Sequence, residues 1–227
     1  MPSTFENEKE QERVALALIE QGKLEDAEAI YQSLIAAGTR NPINHSNLAA
    51  LYGMKGRQEG LIELLLRALE LQPNYPEAHN NLGKVLNEQG NHHGALAAFK
   101  TAIQLRPNYP EAHNNLANTL HEQGNLDEAI VAFRTAIELQ PNLPDAHNNL
   151  GNAFKDQGKL DDAIAAYSSA LNHQPSHPDA HYNLAMTLRD LGRLEEALTA
   201  IRQALALKPW SLKASWMQAQ ILNAINR

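Results

Sequence analysis

The residues of this chain that could do chemistry are amides and imidazoles, and they recur in phase. The stretch PNYPEAHNNL occupies 73–82 and again 107–116. PNLPDAHNNL starts at Pro141 and PSHPDAHYNL at Pro175, each 34 residues after the last. Asparagine is a mediocre helix former, so its return in every unit calls for a reason other than helix propensity. A primary amide offers two N–H donors and an acceptor and carries no charge, while a peptide main chain offers one donor and one acceptor per residue. Amides at regular spacing can therefore hold an extended chain by its main chain and leave side-chain choice loose.

Other chemistry is sparse. The chain has no cysteine, which excludes disulfides, thiolate metal sites and thiol nucleophiles. No Gly-rich phosphate loop or nucleophile motif is present. The acidic pairs Asp127/Glu128, Asp161/Asp162 and Glu195/Glu196 sit where helices are expected to start, and there they complement the helix dipole. His173, His177 and His181 invite comparison with a metal set, but Pro175 and Pro178 interrupt the segment and no nearby carboxylate completes it. The reading is a chain that is not an enzyme and needs no metal and no cofactor. A net charge of −7 without a dense basic cluster argues against nucleic acid, whose binding rests on Lys and Arg at phosphates. No stretch approaches the roughly 20 apolar residues of a membrane span. The opening MPSTFENEKEQER lacks a basic leader before an apolar core, so no secretory signal is read, no membrane insertion is expected and the expected location is cytoplasmic.

The elements that position the amides follow from the period. The register runs without a gap through 8–41, 42–75, 76–109, 110–143, 144–177 and 178–211, leaving 1–7 as a flexible N-terminus and 212–227 as a tail. In 110–143, Pro110 suits a first helical turn. The first helix (A) runs to about Gln123, where Gly124 provides a stop. Asn125 and Glu128 form a candidate capping box for the second helix (B), which Pro141 ends. Ala112, Leu116, Ala117 and Leu120 of A face Ala129, Ala132, Phe133, Ala136 and Ile137 of B. One hairpin cannot bury such a face alone, whereas stacked hairpins can.

Leu116, Ala117, Leu120, Gly124, Ala129, Phe133, Ala136 and Pro141 resemble the tetratricopeptide repeat pattern at its 34-residue period. The resemblance covers 8–211 and implies an all-α fold, a right-handed α-solenoid superhelix of stacked antiparallel hairpins. Unit 8–41 departs from the pattern with Thr39 in place of the proline. Unit 42–75 departs with Gly60 and a bulky LIELLL. The tail SLKASWMQAQILNAINR reads as a capping helix or a truncated seventh repeat, with Trp216, Met217, Ile221 and Ile225 as its apolar side.

The resemblance places the A helices along a concave groove, and so implies a binding face. On a wheel of about 100° per residue, the polar arc and the recurring columns nominate Asn80, Asn81, Lys84, Asn87, Asn114, Asn115, Asn118, His121, Asn148, Asn149, Asn152, Lys155, Tyr182, Asn183, Met186 and Arg189 as a peptide-binding groove. A similar asparagine ladder occurs in the superhelix of the O-linked N-acetylglucosamine transferase family. In the column Asn47, Asn81, Asn115, Asn149, Asn183, structural bonds between helices compete evenly with binding. The histidines His45, His79, His113, His147 and His181 read as aromatic spacers between hairpins. If packed there, His79, His113 and His147 would make stability fall as pH drops.

The function these features imply is a non-catalytic scaffold whose groove binds an extended peptide or protein segment, with self-association through the terminal repeats as a further partner mode. The alternative is the substrate-selecting arm of a larger enzyme, such as a glycosyltransferase or methyltransferase, in a chain continuing past Arg227. Helical-repeat RNA recognition of the pentatricopeptide type is disfavoured by the acidic charge and by its usual period of about 35.

Overall fold

The computed structural model describes residues 4–226, with side chains from Glu6 onward. The described residues form thirteen helices and no strand. The chain divides into two compact units, 1–107 and 108–227. The first holds α1 (Thr4–Glu20), α2 (Leu24–Ala36), α3 (Pro42–Met54), α4 (Leu61–Leu71), α5 (Pro76–Glu88) and α6 (His92–Leu105). The second holds α7 (Pro110–Glu122), α8 (Leu126–Leu139), α9 (Pro144–Asp156), α10 (Leu160–His173), α11 (Pro178–Asp190), α12 (Leu194–Leu207) and α13 (Leu212–Ile225). Within each unit the helices pack as consecutive hairpins, an A helix against the B helix that follows it, and each hairpin packs on the next.

The boundaries have local causes. Pro42, Pro76, Pro110, Pro144 and Pro178 each occupy the first turn of an A helix, where the missing N–H leaves nothing unpaired. A helices end in a left-handed glycine. At Gly124 (φ 78°) the glycine N–H donates to His121 O and the Asn125 N–H reaches back to Leu120 O. These two bonds satisfy the last carbonyls of the helix. The capping box expected at α8 does not form: Asn125 makes no side-chain cap bond. Asn91 does cap, accepting from Gly94 N at 3.0 Å. At α8 the turn's own bonds, with Leu126 N donating to Gly124 O at 2.9 Å, set the entry, and Asp127 and Glu128 serve the dipole.

The core is built on one recurring contact. An A-helix residue of minimal size faces a large B-helix side chain sixteen positions on. A Cβ added to Gly83 would lie 2.6 Å from the Phe99 ring, and one added to Gly151 would lie 2.5 Å from Tyr167. Phe99, Phe133, Tyr167 and, in the first hairpin, Tyr31 are all buried. Small B-helix residues at a fixed offset (Ala68, Ala102, Ala136, Ala170, Ala204) are buried as well and let the helices close.

Two expectations about the ends change. Helix α1 begins at Thr4, so 4–7, expected to be flexible, are helical; residues 1–3 lie outside the described residues. The start of α1 is tied down because Glu8 accepts from Thr39 Oγ1 and, at 3.0 Å, from Asn44 Nδ2. In α13 the buried side chains are Ala214, Met217 and Ile221, spaced three and four apart on one stripe. Trp216 falls off that stripe and is 65% exposed. It stands 34 positions after Tyr182.

Candidate functional site

The A-helix amides of the second unit form a directional network. Asn183 Nδ2 on α11 donates to Asn148 Oδ1 and to Asn152 Oδ1 of α9, both at 3.0 Å. The Tyr167 hydroxyl donates to the same Asn152 oxygen at 2.8 Å. Burial pushes that phenol's pKa well up, which keeps it a donor. Asn149 Nδ2 donates to Asn118 Oδ1 at 2.9 Å, and Asn148 Nδ2 to Asn149 Oδ1 at 3.3 Å.

Most amide oxygens on this face are thus occupied from within. The Nδ2 donors of Asn118 and Asn152 are not, and both residues are only partly buried. Asn114 Oδ1 is buried without a partner. Lys155, three residues beyond Asn152, is half-buried and has no carboxylate partner; its Nζ lies 4.0 Å from Met186 Sδ. Arg189 is engaged by Asp190 at 2.7 Å and Gln220 at 3.1 Å. His121 pairs with Asp156 at 2.8 Å. The Lys213 ammonium lies 4.6 Å from the centre of the Tyr182 ring, within cation–π range. The face therefore runs from N–H donors toward an aromatic and thioether end.

The wheel misplaced two nominated amides. Asn80 is fully buried and Asn148 is 7% exposed, so neither is open on a surface. A wheel ranks the faces of one helix, but an A helix here is covered from two sides: α9 touches its own α10 and also α7 and α11. Asn81, which the wheel put at the border, is partly exposed. The remaining nominees of the first unit are Lys84, exposed, and Asn87, whose Oδ1 meets His92 Nδ1 at 2.8 Å. Asn115 is partly buried.

The histidines are fixed in ways the sequence only half revealed. His79, His147 and His181 each place Nε2 2.9 Å from the carbonyl of the proline six residues back, and each is only partly buried. His45 has Thr39 at that place. It is buried at 5% exposure, and its Nδ1 has no partner. Burial lowers its pKa, opposed by the Asn41 backbone and reinforced by Arg67. His177 caps α11 by accepting from Ala180 N at 3.2 Å and meets Asp145 at 3.2 Å, while His173 stacks on His147. Among the described residues no helix is long and apolar enough to cross a membrane.

Stacked hairpins with a polar, amide-bearing A-helix face define a helical-repeat interaction module. The chain belongs to the tetratricopeptide repeat family: a model described as TPR repeat matches 54–90, 83–124 and 117–158, and one described as Tetratricopeptide repeat matches 148–211. Members of this family are in general non-catalytic scaffolds that bind peptides or proteins. No curated protein sequence matches the chain. Among solved structures it is similar to the APC/C hetero-tetramer Cut9–Hcn1, with TM-score 0.85, 19% identity and 93% of this chain covered. The chain spans 42% of that protein's length. It is similar to PilF of Pseudomonas aeruginosa, with TM-score 0.82, 18% identity and 95% and 98% of the two chains covered. It is also similar to YrrB, described as a TPR protein with an unusual peptide-binding site, with TM-score 0.63, 22% identity and 83% and 97% covered. At these identities the likeness concerns the fold.

Proposed function

We propose that the chain is a scaffold that takes an extended peptide segment onto the A-helix face of its second unit and grips it chiefly by the main chain. The six 34-residue units with their C-terminal helix are the working modules of this reading. The observation that supports it is the polarity of the amide network. Most asparagine oxygens on this face are occupied from within, while Asn118 Nδ2 and Asn152 Nδ2 are left as donors beside a half-buried Lys155 that has no carboxylate partner. Such a surface suits a ligand rich in acceptors, and peptide carbonyls supply one at every residue. A buried donor without an acceptor costs about 1–3 kcal/mol, so a ligand that covers these donors must also satisfy them. YrrB, described as having a peptide-binding site, supports peptide binding as a use of this fold. The chain contributes binding, not a reaction.

The test is selection of ligands from a library of short random peptides on the wild type, followed by calorimetry against Asn118→Ala combined with Asn152→Ala. The expected outcome is a loss of about tenfold or more, since two hydrogen bonds are removed. Equal affinity in that variant would contradict the reading.

A further inference from the structure

One hairpin in the first unit lacks the ring that fills the others. Residues 31, 65, 99, 133, 167 and 201 share one place in the period, and are Tyr, Leu, Phe, Phe, Tyr and Ile. Beside Ile201, Met217 and Ile221 of α13 join the same core. Beside Leu65 the following A helix supplies Asn81 and Val85 instead. A cavity of about 330 Å³ remains there, lined by Ala49, Gly53, Met54, Leu61, Leu65 and Val85, with Asn81 also on its wall. Its exposed lining, Ala50, Gly53, Met54, Lys84 and Glu88, marks the open side, and all five stand on the A helices α3 and α5.

The same substitution strands an amide. Asn47 bonds the Tyr31 hydroxyl at 3.0 Å, sixteen positions back, and Asn149 and Asn183 each bond an asparagine thirty-one positions back. For Asn81 those two places hold Leu65 and Ala50, and neither offers a polar side-chain atom. Asn81 accordingly makes no side-chain hydrogen bond, although it is half-buried.

We infer that this cavity is a socket for one bulky apolar side chain of an extended peptide, with Asn81 pairing the peptide's main chain at that residue. The inference rests on the proposed use of A-helix faces for peptide binding. The occupant's chemistry follows from the wall. The six named residues are apolar, so a Leu, Met or Phe side chain gains by burial there. The charges at the rim, Lys84 and Glu88, are of opposite sign, so they favour a neutral residue at this position. The unpaired amide matches the one donor and one acceptor of the seated residue's own peptide groups.

The test is methyl NMR on the full chain, with Met54 as reporter and N-acetyl-leucine methylamide, a blocked single residue, as probe. The expected result is a saturable shift of the Met54 methyl and the Asn81 amide signals. N-acetyl-alanine methylamide should bind at least about tenfold more weakly. Leu65→Phe, which installs the ring of the neighbouring hairpins, should abolish the response. Ala50→Leu, changed at an exposed helical position, narrows the opening from the other wall and keeps the result readable if Leu65→Phe fails to fold. An unchanged response in either folded variant, or no Met54 response in the wild type up to the probe's solubility, overturns the socket. That failure leaves the second-unit reading intact, because Asn118 and Asn152 take no part in it. An intact Met54 response alongside unchanged peptide affinity in the Asn118/Asn152 variant would instead locate the failure in the second-unit reading.

Discussion

Asn183 on α11 hands one amide hydrogen to Asn152 Oδ1 of α9 at 3.0 Å, where the buried Tyr167 hydroxyl already donates at 2.8 Å. One oxygen thus joins two A helices and a B helix. Asparagine at these places stitches hairpins together, and on Asn118 and Asn152 it does so through the oxygen, leaving the Nδ2 donors unused within the chain.

Removing that oxygen tests the stitching. Asn152→Ala strands the Tyr167 hydroxyl and leaves Asn183 only its bond to Asn148, and should lower stability by about 1–3 kcal/mol, read as a lower denaturant midpoint. Asn118→Ala loses a single acceptor and should cost less, about 0.5–1.5 kcal/mol. The combined alanine variant of Asn114, Asn118, Asn148 and Asn152 should therefore fold and melt earlier than the wild type. An Asn152→Ala protein as stable as the wild type would show that the network adds nothing.

The glycine–ring contact sets a size limit. A Cβ at Gly151 meets Tyr167 at 2.5 Å, but alanine at the same place, Ala117, is accommodated against Phe133. Gly151→Ala should change stability by no more than about 1 kcal/mol, because the gain in helix propensity offsets the strain. Gly151→Leu should cost about 3 kcal/mol or more, with the ring forced aside. Chemical denaturation of the two variants decides it.

In the first unit, Glu28 accepts from Lys55 at 2.7 Å, Arg57 at 3.0 Å and Gln32 at 2.9 Å. The carboxylate is nearly covered, but the Arg57 side chain is 47% exposed and can return to water. Glu28→Ala should cost about 1–3 kcal/mol, as for a charged hydrogen bond, not the larger loss of a sealed ion pair. Arg57 also lies over the Tyr52 ring at 4.1 Å, so weakened protection of the α3–α4 turn in hydrogen exchange should accompany the loss.

His45 should make stability sensitive to acid. Its folded pKa lies below the reference of about 6.5. As pH falls through that reference, the unfolded chain takes up the proton first, and stability is lost from there down to the folded pKa. His45→Leu should flatten the melting profile across that window. A slope that survives His45→Leu would contradict the assignment.

How much was legible beforehand depended on periodicity. Helix starts at proline, stops at glycine and the small-against-large core recur in phase, so Gly83, Phe99 and Gly124 could be placed from sequence. The amide partners could not, because a wheel sees one helix, whereas Asn148 is met by Asn183 of the neighbouring hairpin. His45 looked like its column mates; it differs in being buried, and Thr39 stands where His79, His147 and His181 have a proline. The socket was half visible as the bulky LIELLL of α4, but Leu65 leaves a gap there, since it is smaller than the ring it replaces. The spacing of Trp216, Met217, Ile221 and Ile225 suggests one apolar side for α13, but the buried stripe is Ala214, Met217 and Ile221, and Trp216 lies outside it.

The central claim is that the peptide is held by its main chain. The most direct measurement is calorimetric titration of a selected peptide against two altered versions of itself. One carries N-methyl groups and ester links that remove main-chain donors and weaken carbonyl acceptors. The other keeps the main chain and permutes the side chains. The account predicts that the backbone-altered peptide loses about tenfold or more in affinity, while the permuted one keeps most of it. Strong binding by the backbone-altered peptide, with loss on permutation, would contradict it.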